Sequence, residues 1–364
     1  MPNCSIPDRF SSESITLAEL GEQQVLQWLQ RFCPPELIGD DGAAIPWRSP
    51  PLAATLAPDQ QDHLVVTTDM LVDGVHFSDR TTPPHSVGWR AAAANLSDLA
   101  AMGADPIGLT VGLALPGTTP WAWVEGLYRG LTDCGDRYKT PIVGGDLCRS
   151  TVATLSITAL GRAERSQLIR RSALRPGDYL IATGVHGASR AGLELLLNLE
   201  DDPPSTVTKL QRDTWVYAHQ YPQPRLDWLP TLQHLQKTPN SGLGQRAIAG
   251  MDSSDGLADA VVQLCRASGC GAEVWGDRLP IPQGLENWLG ESKACHWTLY
   301  GGEDFELVLG LPEVVLGQLA CFEAGLNFDV IGRAVDGQEV KLLSQDRGEA
   351  IANLSLSQSY QHFE

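Results

Sequence analysis

Thr67-Thr68-Asp69-Met70-Leu71-Val72-Asp73-Gly74-Val75-His76-Phe77 (TTDMLVDGVHF) decides how this chain is read. It follows a strand-like run, Leu64–Thr68, and places two hydroxyls, two carboxylates and an imidazole within eleven residues. Strand alternation puts Thr67 and Asp69 on one face and Thr68 on the other. Hydroxyl and carboxylate oxygens at a strand end suit a hard divalent cation. One aspartate cannot hold a metal, so the stretch is either part of a larger site or only a strand, a polar turn and a surface histidine.

Working outward, Leu17–Phe32 and Trp121–Tyr138 carry apolar residues at helical spacing, and Ser86–Met102 reads as an Ala-rich helix stopped by Gly103. Asn95 and Asp98 share one face of that last helix. Gly108–Leu115, Thr151–Leu160, Asp178–Ala182 and Phe305–Leu309 are strand-like, and Pro141-Ile142-Val143 runs into Gly144-Gly145-Asp146. A short strand, Ala247–Met251, feeds Asp252-Ser253-Ser254-Asp255-Gly256 and a helix to Ser268. The pattern predicts an α/β protein with a junction at Arg170–Asp178, marked by Pro176-Gly177. The expected division is a leader at 1–16, an N-terminal domain at 17–168 and a C-terminal α/β domain at 169–364.

Six aspartates sit at turns beside glycine or small polar residues: Asp41, Asp69, Asp98, Asp146, Asp252 and Asp255. Each alone reads as a turn or cap residue, and Asp252 as a cap for the helix that follows. Together, if they converge, they make a multi-cation oxygen cage. The five lysines (139, 209, 237, 293, 341) follow no glycine, so no GxxxxGK[ST] loop exists. Kinase HRD and DFG signatures, GxSxG, HExxH and GxGxxG are also missing. Phosphoryl transfer by such a chain would rely mostly on magnesium for charge neutralisation, with one arginine beside it. The turn Gly184-x-x-Gly187 reads as packing or as an anion cradle at a helix start, with His186 beside it expected to be exposed.

The formal net charge of −18 over 364 residues argues against nucleic-acid binding. Eight cysteines without CxxC or zinc-type spacing point to reduced thiols of a cytoplasmic protein. The N-terminal residues have neither a basic nor an apolar signal segment, and no apolar run is long enough for a membrane span.

GDDGA (39–43), TTDxLVDGVHF (67–77), NLSDLAAMGADP (95–106), GGD (144–146), DSSDGL (252–257) and GGEDFEL (301–307) closely resemble the thiamine-monophosphate kinases, within the aminoimidazole ribonucleotide synthetase superfamily. The match runs in order from about residue 20 to the end of the chain. The resemblance implies the superfamily's two-domain α/β fold, with an N-terminal sheet forming a barrel in a homodimer. It implies direct, in-line transfer of the ATP γ-phosphoryl group to thiamine monophosphate, with several magnesium ions. Carried over by position, Asp41, Thr67, Thr68, Asp69, Asp98, Asp146, Asp252 and Asp255 resemble magnesium ligands. Asp69, Asp98, Asp146 and Asp255 are the catalytic candidates. Tyr128, Gly145, Asp146, Arg171 and Ser254 resemble ATP contacts, and His76, Glu303 and Tyr360 resemble contacts to thiamine monophosphate. Pro222–Arg225 matches a family element without an assigned role. The alternatives are another ATP-dependent enzyme of the superfamily or a non-catalytic magnesium–nucleotide module.

Overall fold

The computed structural model describes residues 17–20, 22–29, 39–47, 62–198, 206–238, 242–243, 246–319, 326–344 and 348–358. The leader at 1–16 and Tyr360 lie outside these residues. Two short helices, α1 (Leu17–Leu20) and α2 (Glu22–Leu29), belong to a small unit of their own. Residues Gly39–Ser359 form a second unit that holds both sheets.

The N-terminal part of this second unit runs β1 (Ala43–Pro46), β2 (Asp62–Val72), α3 (Pro84–Ala101), β3 (Asp105–Leu115), α4 (Trp121–Arg137), β4 (Ile142–Arg149) and β5 (Thr154–Glu164). The strands make one sheet in the order β1-β2-β5-β3-β4. β2 and β5 pair antiparallel from Asp62 opposite Glu164 to Val72 opposite Thr154. Val65, Thr67 and Leu71 face inward with Leu155, Ile157 and Ala159 of β5 and Val111 and Leu113 of β3. The alternate residues form an outer face, on which Thr68 and Met70 are exposed.

α3 and α4 cover the inner face. They approach almost backbone to backbone: a Cβ on Gly88 would lie 1.9 Å from the Leu127 carbonyl oxygen, and one on Gly130 would lie 1.8 Å from that of His85. No other residue fits at this crossing. α3 is buried nearly all round, which its run of alanines permits without overpacking. It stops as its sequence predicts: Gly103 takes φ +72°, and the amides of Gly103 and Ala104 donate to the carbonyls of Ala100 and Leu99.

The C-terminal part runs β6 (Tyr179–Thr183), α5 (Ala188–Leu197), α6 (Lys209–Gln220), α7 (Leu229–Lys237), β7 (Ala249–Asp252), α8 (Leu257–Ser268), β8 (Gly271–Trp275), α9 (Leu285–Leu289), α10 (Glu291–Tyr300), β9 (Leu307–Leu311), α11 (Glu313–Leu319), β10 (Phe328–Val335), β11 (Val340–Leu343) and β12 (Ala350–Asn353). Seven strands pair in the order β12-β11-β8-β10-β6-β9-β7, antiparallel except for β8 with β11. Its central strands are buried on both faces. Leu180, Ala182 and Val308 meet Leu257 and Val261 of α8, whereas Ile181, Leu307 and Leu309 meet Trp228 and Leu232 on the other side. Ala100 and Ala101 at the end of α3 join this last cluster, so α3 packs against both sheets.

Sequence reading missed β1, because GDDGA looks like a turn with nothing following it. Trp297–Tyr300 closes α10, and Asp252 belongs to β7, four residues before the Gly256 N-cap of α8. Asp252 is therefore not the cap of that helix. Among the described residues no helix is long and apolar enough to cross a membrane.

Candidate active site

Asp41, Asp98 and Asp252 arrive from the turn before β1, from α3 and from the end of β7. One carboxylate oxygen of each lies within 4.8 Å of those of the other two. The fold builds this meeting point by running β2 beside α3 and by placing β7 where α3 ends. Thr67 on β2 donates its hydroxyl to Asp98 Oδ2. Ser97 on α3 donates to Asp252 Oδ2 at 2.7 Å, and Ser254 donates to Asp252 Oδ1 at 3.1 Å. Asn95, fully buried on α3, accepts the Asp69 amide at 3.1 Å and ties β2 to the helix.

The electrostatics are those of carboxylates buried and crowded together. Burial, and then repulsion from Asp41, push Asp69 up to about 6. Burial and the neighbouring Asp69, Asp252 and Asp41 hold Asp98 well above the usual carboxylate range, against the opposing bond from Thr67. Burial and Asp41 push Asp252 up to about 8. Asp41 is raised by burial even though Arg171 forks onto it, with Nη2 at 2.7 Å from Oδ1 and Nε at 3.4 Å from Oδ2. Converging, buried, all-oxygen carboxylates of this kind suit a hard cation such as magnesium.

The other expected residues are distributed around this cluster. Thr68 points to the outer face, where its hydroxyl is 2.8 Å from that of Thr158. Gly145 and Asp146 lie on β4, the last strand on the far side of the sheet from β2. Pairing places Gly145 opposite Val111, and a Cβ there would lie 2.2 Å from the Val111 carbonyl oxygen. Asp146 aligns through Gly112 and Ser156 with Met70, on the outer face. Tyr128 is exposed on α4, and Asp255 is exposed in the turn before α8. His76 accepts the Val72 amide at Nδ1, 3.1 Å.

Glu303 sits in a strained loop: φ is +60° at Glu303 and +53° at Phe305, neither a glycine. Its amide donates to the Ser254 carbonyl at 2.6 Å. Its carboxylate pairs with Arg90, and His219 Nδ1 lies 3.8 Å from its other oxygen. Burial works to raise Glu303, but the Arg90 guanidinium beside it outweighs this and holds the group below its ordinary value. Asp304 accepts the amides of Gly187 (2.6 Å) and Ser189 (2.9 Å) at the start of α5. The Gly184–Gly187 turn is thus filled by the chain's own carboxylate rather than forming an open anion cradle. His186 is fully buried, 3.0 Å from Ser253 Oγ, contrary to the exposed position expected, and burial pushes it down to about 3.

Sequence reasoning also missed Arg90, Asn95 as an anchor, Ser97 and Arg225. Arg225, in the PQPR element, donates to Glu306 at 3.0 Å and so pins the same loop. The available signals were slight: a lone arginine in an alanine-rich helix, and a proline-flanked arginine.

This chain thus combines a mixed α/β fold with a buried carboxylate cage, and residues 39–163 match the family described as AIR synthase related protein, N-terminal domain. It is 47% identical over 349 residues to the thiamine-monophosphate kinase of Synechococcus elongatus, covering 96% of this chain and 98% of the relative. It is 39% identical over 352 residues to that of Prochlorococcus marinus, covering 95% and 97%. The structure of AaThiL complexed with AMPPCP and TMP superposes with a TM-score of 0.77 at 29% identity, covering 97% of this chain and all of that one. The chain belongs to the thiamine-monophosphate kinase family.

Proposed function

We propose that this protein phosphorylates thiamine monophosphate with ATP, producing thiamine diphosphate and ADP. The observation that carries this reading is the convergence of Asp41, Asp98 and Asp252 within 4.8 Å in a chain of this family. These three, with Thr67 and Asp69, would hold magnesium, and Thr68, Asp146 and Asp255 would serve further magnesium ions around it. When bound, magnesium would neutralise the phosphate oxygens between which the phosphoryl group moves. The chain's own residues orient and select. Asn95 holds the backbone at Asp69 and Ser97 holds the Asp252 carboxylate, while Ser254 links Asp252 to the Glu303 loop. Arg171, with Tyr128 and Gly145, would meet the nucleotide once it exchanges Asp41 for phosphate. His76 and Glu303 would receive thiamine monophosphate, whose thiazolium carries a positive charge that Glu303 complements. No general base is required, since the accepting phosphate is already ionised at neutral pH.

A homodimer completes this site. Within one chain Asp146 is three strands from β2, about 14 Å at the spacing of a sheet, and on the opposite face from Asp69. Those two carboxylates cannot meet on one ion within a single chain. β4 is nevertheless exposed along almost its whole length, with Leu147 69% and Met70 on the same sheet 54% accessible. A second copy covering this sheet would bury that surface and bring its Asp146 against the outer face of β2, beside Thr68. The domains fall at 17–168 and 169–364 in this reading, and a cytoplasmic location fits the supply of both substrates.

The test is formation of thiamine diphosphate from ATP and thiamine monophosphate by the purified protein, stopped by EDTA and restored by magnesium. No product across a wide range of magnesium concentrations would overturn the assignment.

A further inference from the structure

Arg90 is 2% exposed in the middle of the alanine-rich helix α3, an expensive place for a guanidinium, and its buried Nε finds no hydrogen-bond partner among the described residues. Its two terminal nitrogens are both committed: Nη1 donates to the His219 carbonyl oxygen and lies 3.5 Å from His219 Nδ1, and Nη2 donates to Glu303 Oε1. His219 is itself buried and is pushed down to about 3 by burial and by Arg90, so Arg90 is the cation beside Glu303. The loop around Glu303 is pinned elsewhere too, through Asp304 on α5 and through Glu306, which accepts from Thr183 and Arg225. The Glu303 side chain is 34% accessible, against 13% for Glu306. Arg90 thus anchors from behind a carboxylate that stays partly open to solvent.

The same helix carries Asn95, Ser97 and Asp98, which organise the carboxylate cage. Arg90 stands eight residues before Asp98, about 12 Å along the helix axis. α3 therefore spans the distance between the cage and the Glu303 carboxylate as one rigid element.

We infer that Arg90 is a positioning residue for the phosphoryl acceptor: it acts through Glu303, fixing that carboxylate where it meets the cationic part of thiamine monophosphate, at a set distance from the cage. The inference rests on the reading of Glu303 as a substrate contact. Arg90 touches neither substrate, so its effect falls on the binding of thiamine monophosphate and not on that of ATP.

Steady-state kinetics of Arg90→Met, Arg90→Lys, Glu303→Gln and the Met/Gln and Lys/Gln double variants test this. Arg90→Met raises KM for thiamine monophosphate about tenfold, the loss expected for one charge-assisted contact. KM for ATP stays within about twofold and kcat within about threefold. Arg90→Lys, which keeps the charge but cannot fork between His219 and Glu303, falls in between. In the Glu303→Gln background neither Arg90 substitution raises KM by more than about twofold, because the group it acts through is gone. Effects that multiply instead, or equal losses for ATP, overturn the inference. If melting shows that Arg90→Met does not fold, the Lys/Gln cycle decides by the same criterion. An unchanged KM in Glu303→Gln refutes the substrate-contact reading and this inference with it. A raised KM there, with none in the Arg90 variants, refutes this inference alone.

Discussion

Replacing Asp98 by asparagine should move stability and activity in opposite directions. The substitution keeps the shape of the side chain and an oxygen for the Thr67 hydroxyl, and it removes one charge from a site where three carboxylate oxygens lie within 4.8 Å. At an effective permittivity of ~20, each fully ionised pair at that distance repels by about 3.5 kcal/mol. Proton uptake and relaxation relieve most of this, leaving a gain of about 1–3 kcal/mol when the charge is deleted. In EDTA at pH 8 the variant should therefore melt higher than the wild type, by roughly 2–6 °C. With magnesium the order reverses, since the wild type gains the free energy of binding the ion and the variant gains little. Loss of a metal ligand worth about 3–4 kcal/mol to the transition state lowers kcat by about 10²–10³-fold. Thermal melts with and without magnesium, alongside thiamine diphosphate formation, read both quantities. A variant that melts lower in EDTA, or keeps near-normal kcat, would show that Asp98 serves the fold and not the ion.

The pH dependence of the metal-free protein follows from the same cluster. Asp69 (about 6) and Asp252 (about 8) hold their protons more tightly when folded than the ordinary value of 3.8, so their contribution to stability is complete below about pH 4 and disappears as pH rises through 6 to 8. In EDTA, Tm should fall between pH 6 and 8.5, and saturating magnesium should flatten or reverse that slope; a flat profile in EDTA contradicts the burial of these groups. The dimer is tested by co-expressing Asp98→Asn and Asp146→Asn, each inactive alone. Mixed dimers in which Asp146 serves the partner's site recover about a quarter of wild-type activity, given random pairing; none is recovered if each chain's site is self-contained.

Much of the architecture can be read from local pattern, because local pattern is what sets it. The period of β2 puts Thr67 and Asp69 on the buried face and Thr68 outside, and Gly103 ends α3 through a left-handed turn that favours glycine. Which of the aspartates meet is not local information. Asp41 and Asp146 occupy similar glycine-rich turns in the sequence, yet one lies in the buried cluster and the other on an exposed edge strand. Strand order alone separates them.

What this sequence determines by itself is the chemistry it has available: small-residue turns bearing carboxylates, few lysines and no phosphate-binding loop. The tertiary structure decides how those charges are balanced. Arg90 meets Glu303 across 213 residues, Arg171 meets Asp41 across 130, and Asp304 closes the start of α5 from 117 residues away. No spacing rule reaches that far. A buried charge needs a partner wherever the chain can bring one, and the packing of α3 against both sheets determines which partner arrives.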